Sequence, residues 1–231
     1  MDSIIEVVRC FENSNIIHVD GVINPINDIE IIELELIYAD LETVSKRRER
    51  VKKQLKADKS LVKEDQILER LEKTLNEGKS ARSIEFTKEE KEIIKGLHLL
   101  TLKPLMYVAN VDEETIQNPE SNENFKKVKQ YAESQNAKVI PICVKLEEEI
   151  SELESEEEKK EFLEMMGLDK SGLDKLIIAS YDILGLMSYL TVRRNRSKSM
   201  DYKKRDKSTK SGIKDTFRYR KRVYKSRNRI I

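Results

Sequence analysis

The chain has no tryptophan, 6% aromatic residues, two cysteines, two histidines, seven glycines and four prolines in 231 residues. With so few aromatics and 38% charged residues, the core must be thin and the helices heavily solvated. Two cysteines exclude a disulfide scaffold. Cys10 and Cys143 each lie in a short apolar run without His or Cys neighbours at metal spacing, so reduced, buried thiols in a cytosolic protein are expected. His18 and His98 sit among apolar residues and are expected to pack rather than to ligate a metal. No apolar run reaches the roughly 18 residues of a membrane span, and no signal-peptide pattern opens the sequence, so a cytoplasmic location is expected.

The charge that is present is unevenly placed. Residues 193–231 hold 17 Lys/Arg against 3 Asp, whereas 1–192 hold 27 basic and 40 acidic residues. The two regions read as separate in origin.

The most informative stretch is Leu102–Glu113, LKPLMYVANVDE. Pro104 can open a strand but not sit within a ladder, and Leu105–Ala109 is continuously apolar. That pattern predicts a strand buried on both faces of a parallel sheet. Open α/β sheets bind ligands beyond the carboxyl ends of such strands, where Asn110 and Glu113 fall. An Asn and a carboxylate three residues apart can grip a purine edge. In GTPases the tetrapeptide there is Asn-Lys-x-Asp; here Val111 replaces Lys and Glu113 replaces Asp. A longer acid and an apolar platform loosen the guanine fit and bring adenine into range. A plain Asx-type turn with solvated acids remains the alternative reading.

Around this stretch the elements follow from period and punctuation. Ser3–Phe11 reads as a strand. From Asp28, an N-cap candidate, helical spacing through Ile29, Ile32, Leu36 and Leu41 runs into KRRERVKKQLK, a solvated face that could also touch nucleic acid. Asp58-Lys59-Ser60 interrupts it. A second amphipathic helix through Leu61, Leu68, Leu71 and Leu75 closes at Gly78, so a helical hairpin is expected. Thr87-Lys88-Glu89-Glu90 is a capping box for a third helix. A helix with Phe125, Val128 and Tyr131 then leads to a second buried strand, Ala137–Val144, completing a βαβ unit. Two acidic helices broken at Ser155 and a last helix over Ser171–Tyr189 follow.

In order and spacing, VVRCFEN at 7–13, DIEIIELEL at 28–36, LTLKPLMYVANV at 100–111 and the VIPIC strand resemble the YchF / Obg-like ATPase group of P-loop NTPases. The resemblance covers residues 2–192. It implies a partial P-loop NTPase domain with an α/β parallel sheet: nucleotide-binding segments at 1–37 and 99–192, and a helical hairpin domain inserted at 38–98. It also implies ATP as the favoured ligand and a ribosome or RNA as partner. Asn110, Val111 and Glu113 would meet the adenine, beside a loop at Cys143 and Val144 where relatives carry a Ser/Ala-type loop.

The family's catalytic parts are not matched. None of the seven glycines opens a G-x-x-x-x-G-K-[ST] loop. Gly167 and Gly172 have the separation, but Leu173-Asp174 follow. The phosphate and Mg²⁺ half of the domain is therefore expected to lie outside this polypeptide. The chain is then expected to bind ATP weakly and not to hydrolyse it, Mg²⁺ belonging to the intact parent.

Residues 193–231 have little periodicity and read as a disordered basic arm, with Tyr202, Phe217, Tyr219 and Tyr224 as possible stacking groups for RNA. A sharper explanation exists. Back-translated and read one base later, Thr216–Ile231 gives HSDIEKGFIKAETEL, and Arg193–Lys210 permits GETEVKAWTIKKGTKAPK; both look like the family's TGS domain. A frameshift near Val192 is the expected cause of the basic character. A fragment without independent function is the remaining reading.

Overall fold

The computed structural model describes residues 2–12, 23–55, 57–193 and 196–203, with the backbone alone for 188–203. Two compact units are present, Met1–Lys175 and Leu176–Ile231.

In the first unit, three strands form a parallel sheet in the order β1-β2-β3: β1 is Ile4–Arg9, β2 is Leu105–Asn110 and β3 is Lys138–Ile142. Central β2 is buried at five of its six positions, as its unbroken apolar run demands. Pro104 lies just outside the strand, where its carbonyl accepts from Ile4 N–H at 2.9 Å. One face packs through Val8, Leu105, Tyr107 and Ala109 against Ile29, Phe125 and Val128. On the opposite face, β1 leaves Ile5 40% and Val7 62% exposed.

Helix α1, Pro25–Gln54, starts earlier than the periodicity predicts. Its cap is Asn24, whose side chain accepts from Asn27 N–H, and Pro25 occupies the first helical position; Asp28 lies inside the first turn instead of capping it. Ile29, Ile37, Val44 and Val51 recur at seven- or eight-residue intervals and are all buried. Ile29 belongs to the sheet's core. The other three form a second core with α2, Val62–Asn76, through Leu68, Leu71 and Leu75. Each such leucine contributes about 2 kcal/mol by leaving water. The basic run in α1 is not a merely wet face. The Arg48 side chain is 13% exposed and pairs with Glu69 and Glu72, both at 2.5 Å, while Arg47 pairs with Glu64 at 2.7 Å. Opposite charges at matched heights thus set the register of the two helices.

Gly78 takes the left-handed backbone (φ 72°) that closes α2. Helix α3, Lys88–Ile94, carries the capping box in full, Thr87 and Glu90 each satisfying the other's backbone N–H. His98 has φ 52° and is exposed, so it does not pack as expected. His18 lies outside the described residues.

Helix α4, Glu123–Ser134, connects β2 to β3. Helices α5, Val144–Glu152, and α6, Glu156–Met165, are separated by a second capping box at Ser155 and Glu158. Helix α7, Gly172–Leu184, opens at a glycine for a steric reason: a Cβ there would meet Ile142 Cγ2 at 2.8 Å. Gly172 N–H also donates to Glu147 Oε1 at 2.6 Å.

In the second unit, α7 ends sooner than the expected Tyr189. The chain turns at Gly185 (φ 61°) into strand β4, Leu186–Arg193, which pairs antiparallel with β5, Arg196–Lys203. The expectation of a wholly disordered tail is therefore corrected for Arg196–Lys203, because β4 offers a complete edge of donors and acceptors. Phe217, Tyr219 and Tyr224 lie outside the described residues. No helix among the described residues is long and apolar enough to cross a membrane.

Candidate functional site

Parallel pairing makes Asn110 level with Ile142, so both strands deliver their following residues to one rim. The ladder continues one step further, Val111 N–H donating to Ile142 O at 2.9 Å. Asn110 Oδ1 then accepts from the backbone N–H of Val144 at 3.2 Å, at the first residue of α5. This leaves the Asn110 amide nitrogen as a donor directed by a fixed side chain. Glu113 and Lys145, each three residues past the paired positions, form an ion pair of 2.5 Å. The carboxylate beside it holds the Lys145 ammonium above its ordinary pKa.

Beside these groups lies an open cleft of about 610 Å³, bordered by Phe11, Asn110, Glu113, Val144, Lys145 and Glu148. Its size suits a nucleoside or a comparable small molecule. Asp112 also borders the cleft, but its Oδ1 is engaged, accepting from Thr115 N–H at 2.8 Å and from Thr115 Oγ1 at 2.6 Å in an Asx-type turn.

The structure brings the five expected site residues together but divides their roles. Val111 is 1% exposed within the sheet's core, so its side chain is not the apolar platform expected beside a base. Val144, 46% exposed, is the aliphatic group at the rim. Cys143 is a buried N-cap residue rather than part of an open loop, and burial raises its thiol pKa. Cys10 is buried too, its thiol pushed up to about 12 by burial; both cysteines are free, as expected. Phe11 and the Glu113–Lys145 pair escaped the reading of the sequence. The pair could have been found by counting equal offsets from the parallel register. Among the described residues, no group of three or more His, Cys, Asp or Glu is placed to hold a metal.

The sheet, its carboxyl-end cleft and the helical segment between β1 and β2 define an open α/β protein of the nucleotide-binding type of architecture. The comparisons make this particular. No family model matches the chain. It is 50% identical over 205 residues to the "Ribosome-binding ATPase YchF" of Bacillus subtilis, covering 88% of this chain and 56% of that protein. The protein of the same description from Escherichia coli O157:H7 is 41% identical over 191 residues, 82% of this chain and 52% of that one. In structure, the chain is similar to the Schizosaccharomyces pombe YchF GTPase, with a TM-score of 0.77, 32% identity, and coverage of 93% of this chain and 58% of that chain. The chain is a homologue of the YchF proteins, Obg-like members of the P-loop NTPases. It spans about half the length of the curated relatives it matches.

Proposed function

We propose that the chain carries the purine-base rim of a YchF-type nucleotide-binding domain, with adenine as the preferred base. The observation that carries this reading is the Asn110–Val144 hydrogen bond, which locks two strand ends into one rim with the Glu113 carboxylate beside it. On that rim the Asn110 amide nitrogen donates to a ring nitrogen, Glu113 accepts from the exocyclic amine and Val144 covers a base face. Base preference is a real question, since the relatives' names divide between ATPase and GTPase.

Residues 38–98 are the inserted helical domain in this reading. ATP hydrolysis, Mg²⁺ binding through the phosphates and association with ribosomes in the cytoplasm belong to the intact parent protein. The relatives described as ribosome-binding ATPases support that role. The sequence holds no G-x-x-x-x-G-K-[ST] loop to cradle a triphosphate, so the isolated chain binds ATP weakly and does not turn it over. A frameshift near Val192 accounts for the basic residues from Arg193 onward, and the DNA across that codon tests it.

Equilibrium binding of labelled ATP to the full chain, competed by GTP, tests the site. ATP is expected to bind and GTP to compete poorly. Asn110→Ala and Glu113→Ala are each expected to weaken binding about tenfold, the effect of losing a hydrogen bond to a polar edge. Unchanged affinity in both variants would remove the rim from consideration, and metal-dependent turnover by the chain would overturn the inactive reading. A second reading is a non-catalytic module that binds ribosome or RNA; of this, the relatives' descriptions support only the ribosome as partner.

A further inference from the structure

Helix α1 passes from one hydrophobic core to the other: Ile29 packs in the sheet's core and Ile37 in the core shared with α2. Glu33 stands midway, about one turn from each, at the seam where the inserted helical segment meets the sheet. Its carboxylate accepts from the Tyr131 hydroxyl of α4 at 3.0 Å. Glu6 of β1 lies level with Tyr107 of β2 in the parallel register. The Tyr107 ring meets Tyr131 edge-on, with centroids 6.2 Å apart. Tyr107 is fully buried, yet its hydroxyl has no hydrogen-bond partner. Arg82, in the short turn Ala81–Ser83 of the inserted segment, donates from Nε to Thr101 O at 3.0 Å, while its buried Nη2 also lacks an acceptor.

Two orphaned polar atoms at one seam mark a joint that is packed but not satisfied, and each is costly to keep from water. The charged groups facing Glu6 are Glu33 and Asp28 of α1 and, from the inserted segment, Arg82. Tyr107 faces it from β2 and Tyr131 from α4, with Glu30 of α1 beside Tyr131. Burial and then the Glu33 carboxylate push Glu6 up to about 7, so it carries a proton in mild acid. Protonated, it is a neutral donor among acceptors. Ionised, it makes three carboxylates around one guanidinium, where little water screens them. Burial raises both tyrosine hydroxyls, which stay neutral and take up none of the change. The closed seam thus holds the proton more tightly than an opened one, in which Glu6 meets water. Opening becomes easier as pH climbs from about 4.5 and levels off above about 7.

We propose that this seam is an acid-locked joint: a proton on Glu6 holds α1 and Arg82 against β1 and β2, and its loss lets the inserted helical segment loosen from the sheet while both cores stay folded. The joint is separate from the purine rim and does not depend on a base binding there.

Amide hydrogen exchange of the full chain, followed by NMR from about pH 5 to about pH 8 and corrected for intrinsic chemical exchange, tests the joint. The Leu100 and Thr101 N–H groups, held by Asp40, and the Ala81 N–H, held by Thr101 Oγ1, report on the seam. Val108 in the sheet and Leu71 in α2 report on the two cores. The seam amides are expected to be less protected than the core amides and nearly insensitive to low denaturant, the mark of an opening short of global unfolding. Their opening is expected to rise at least about fivefold between about pH 5 and about pH 7.5. Glu6→Gln is expected to abolish that rise and keep the seam as protected as the acid wild type. Glu33→Gln, which still accepts from Tyr131, is expected to shrink the rise. Seam protection that ignores pH in the wild type would overturn the proposal, as would a rise that survives Glu6→Gln. Seam amides with the same protection and denaturant dependence as Val108 and Leu71 would also overturn it, since the proton would then act on global stability alone.

Discussion

Asp40, in the middle of α1, holds Thr101 by both ends: its Oδ2 accepts from the Thr101 backbone N–H at 2.7 Å and from the Thr101 hydroxyl at 2.6 Å. Its other oxygen accepts from Leu100 N–H at 2.7 Å. The carboxylate is 2% exposed and lies 61 residues from Thr101 in sequence. It therefore fixes where the helical segment hands the chain back to β2, and so where Asn110 emerges.

Asp40→Ala leaves the Leu100 and Thr101 N–H groups and the Thr101 hydroxyl proton without their acceptor. It is expected to cost about 3 kcal/mol in chemical denaturation. Asp40→Asn keeps acceptor capacity at one oxygen and is expected to cost less. Equal stability of both variants and the parent would show that water replaces the carboxylate.

Glu6 on β1 gives a pH signature. Its pKa rises to about 7, first through burial and then through Glu33 and Asp28, with Arg82 opposing. A folded pKa above the unfolded one means the native state holds the proton more tightly. The stabilisation is complete below about pH 4.5, fades as pH climbs and is gone above about 7. Allowing for partial exposure and screening, the loss across that window is about 1–2 kcal/mol. Glu6→Gln is expected to flatten that part of the curve in pH-resolved denaturant melts. A variant whose melts track the wild type at every pH would remove Glu6 as the cause.

The exposed Ile5 and Val7 side chains on β1 predict self-association. A charge placed on that face, Val7→Lys, is expected to raise the monomer fraction in sedimentation velocity with no loss of secondary structure. A wild-type chain that is already a clean monomer at high concentration would refute this.

Gly172 is expected to tolerate nothing larger without cost. Gly172→Ala pushes a methyl group into Ile142, and overpacking of this kind costs about 1–3 kcal/mol. The double variant with Ile142→Val should recover part of the loss. No recovery in thermal melts would place the strain elsewhere.

Much of this protein could be read from the order of its residues. The apolar run before Asn110, the capping boxes at Thr87 and Ser155 and the glycine ending α2 are local signals, decided by backbone hydrogen bonding within a few residues. The parallel βαβ unit followed from them, because a helix between two apolar strands leaves little other choice, although β3, expected to be buried, is buried only at Ile142. The start of α1 was misplaced because two capping residues, Asn24 and Asp28, compete within one turn. The end of α7 was misplaced because an apolar segment reads alike as buried helix and as paired strand.

Only the tertiary structure decided which way side chains face. It sent Val111 into the core and Val144 to the rim, exposed His98 and buried Asp40 against Thr101. These outcomes depend on register and packing between segments tens of residues apart, and composition and period carry no information about such distances.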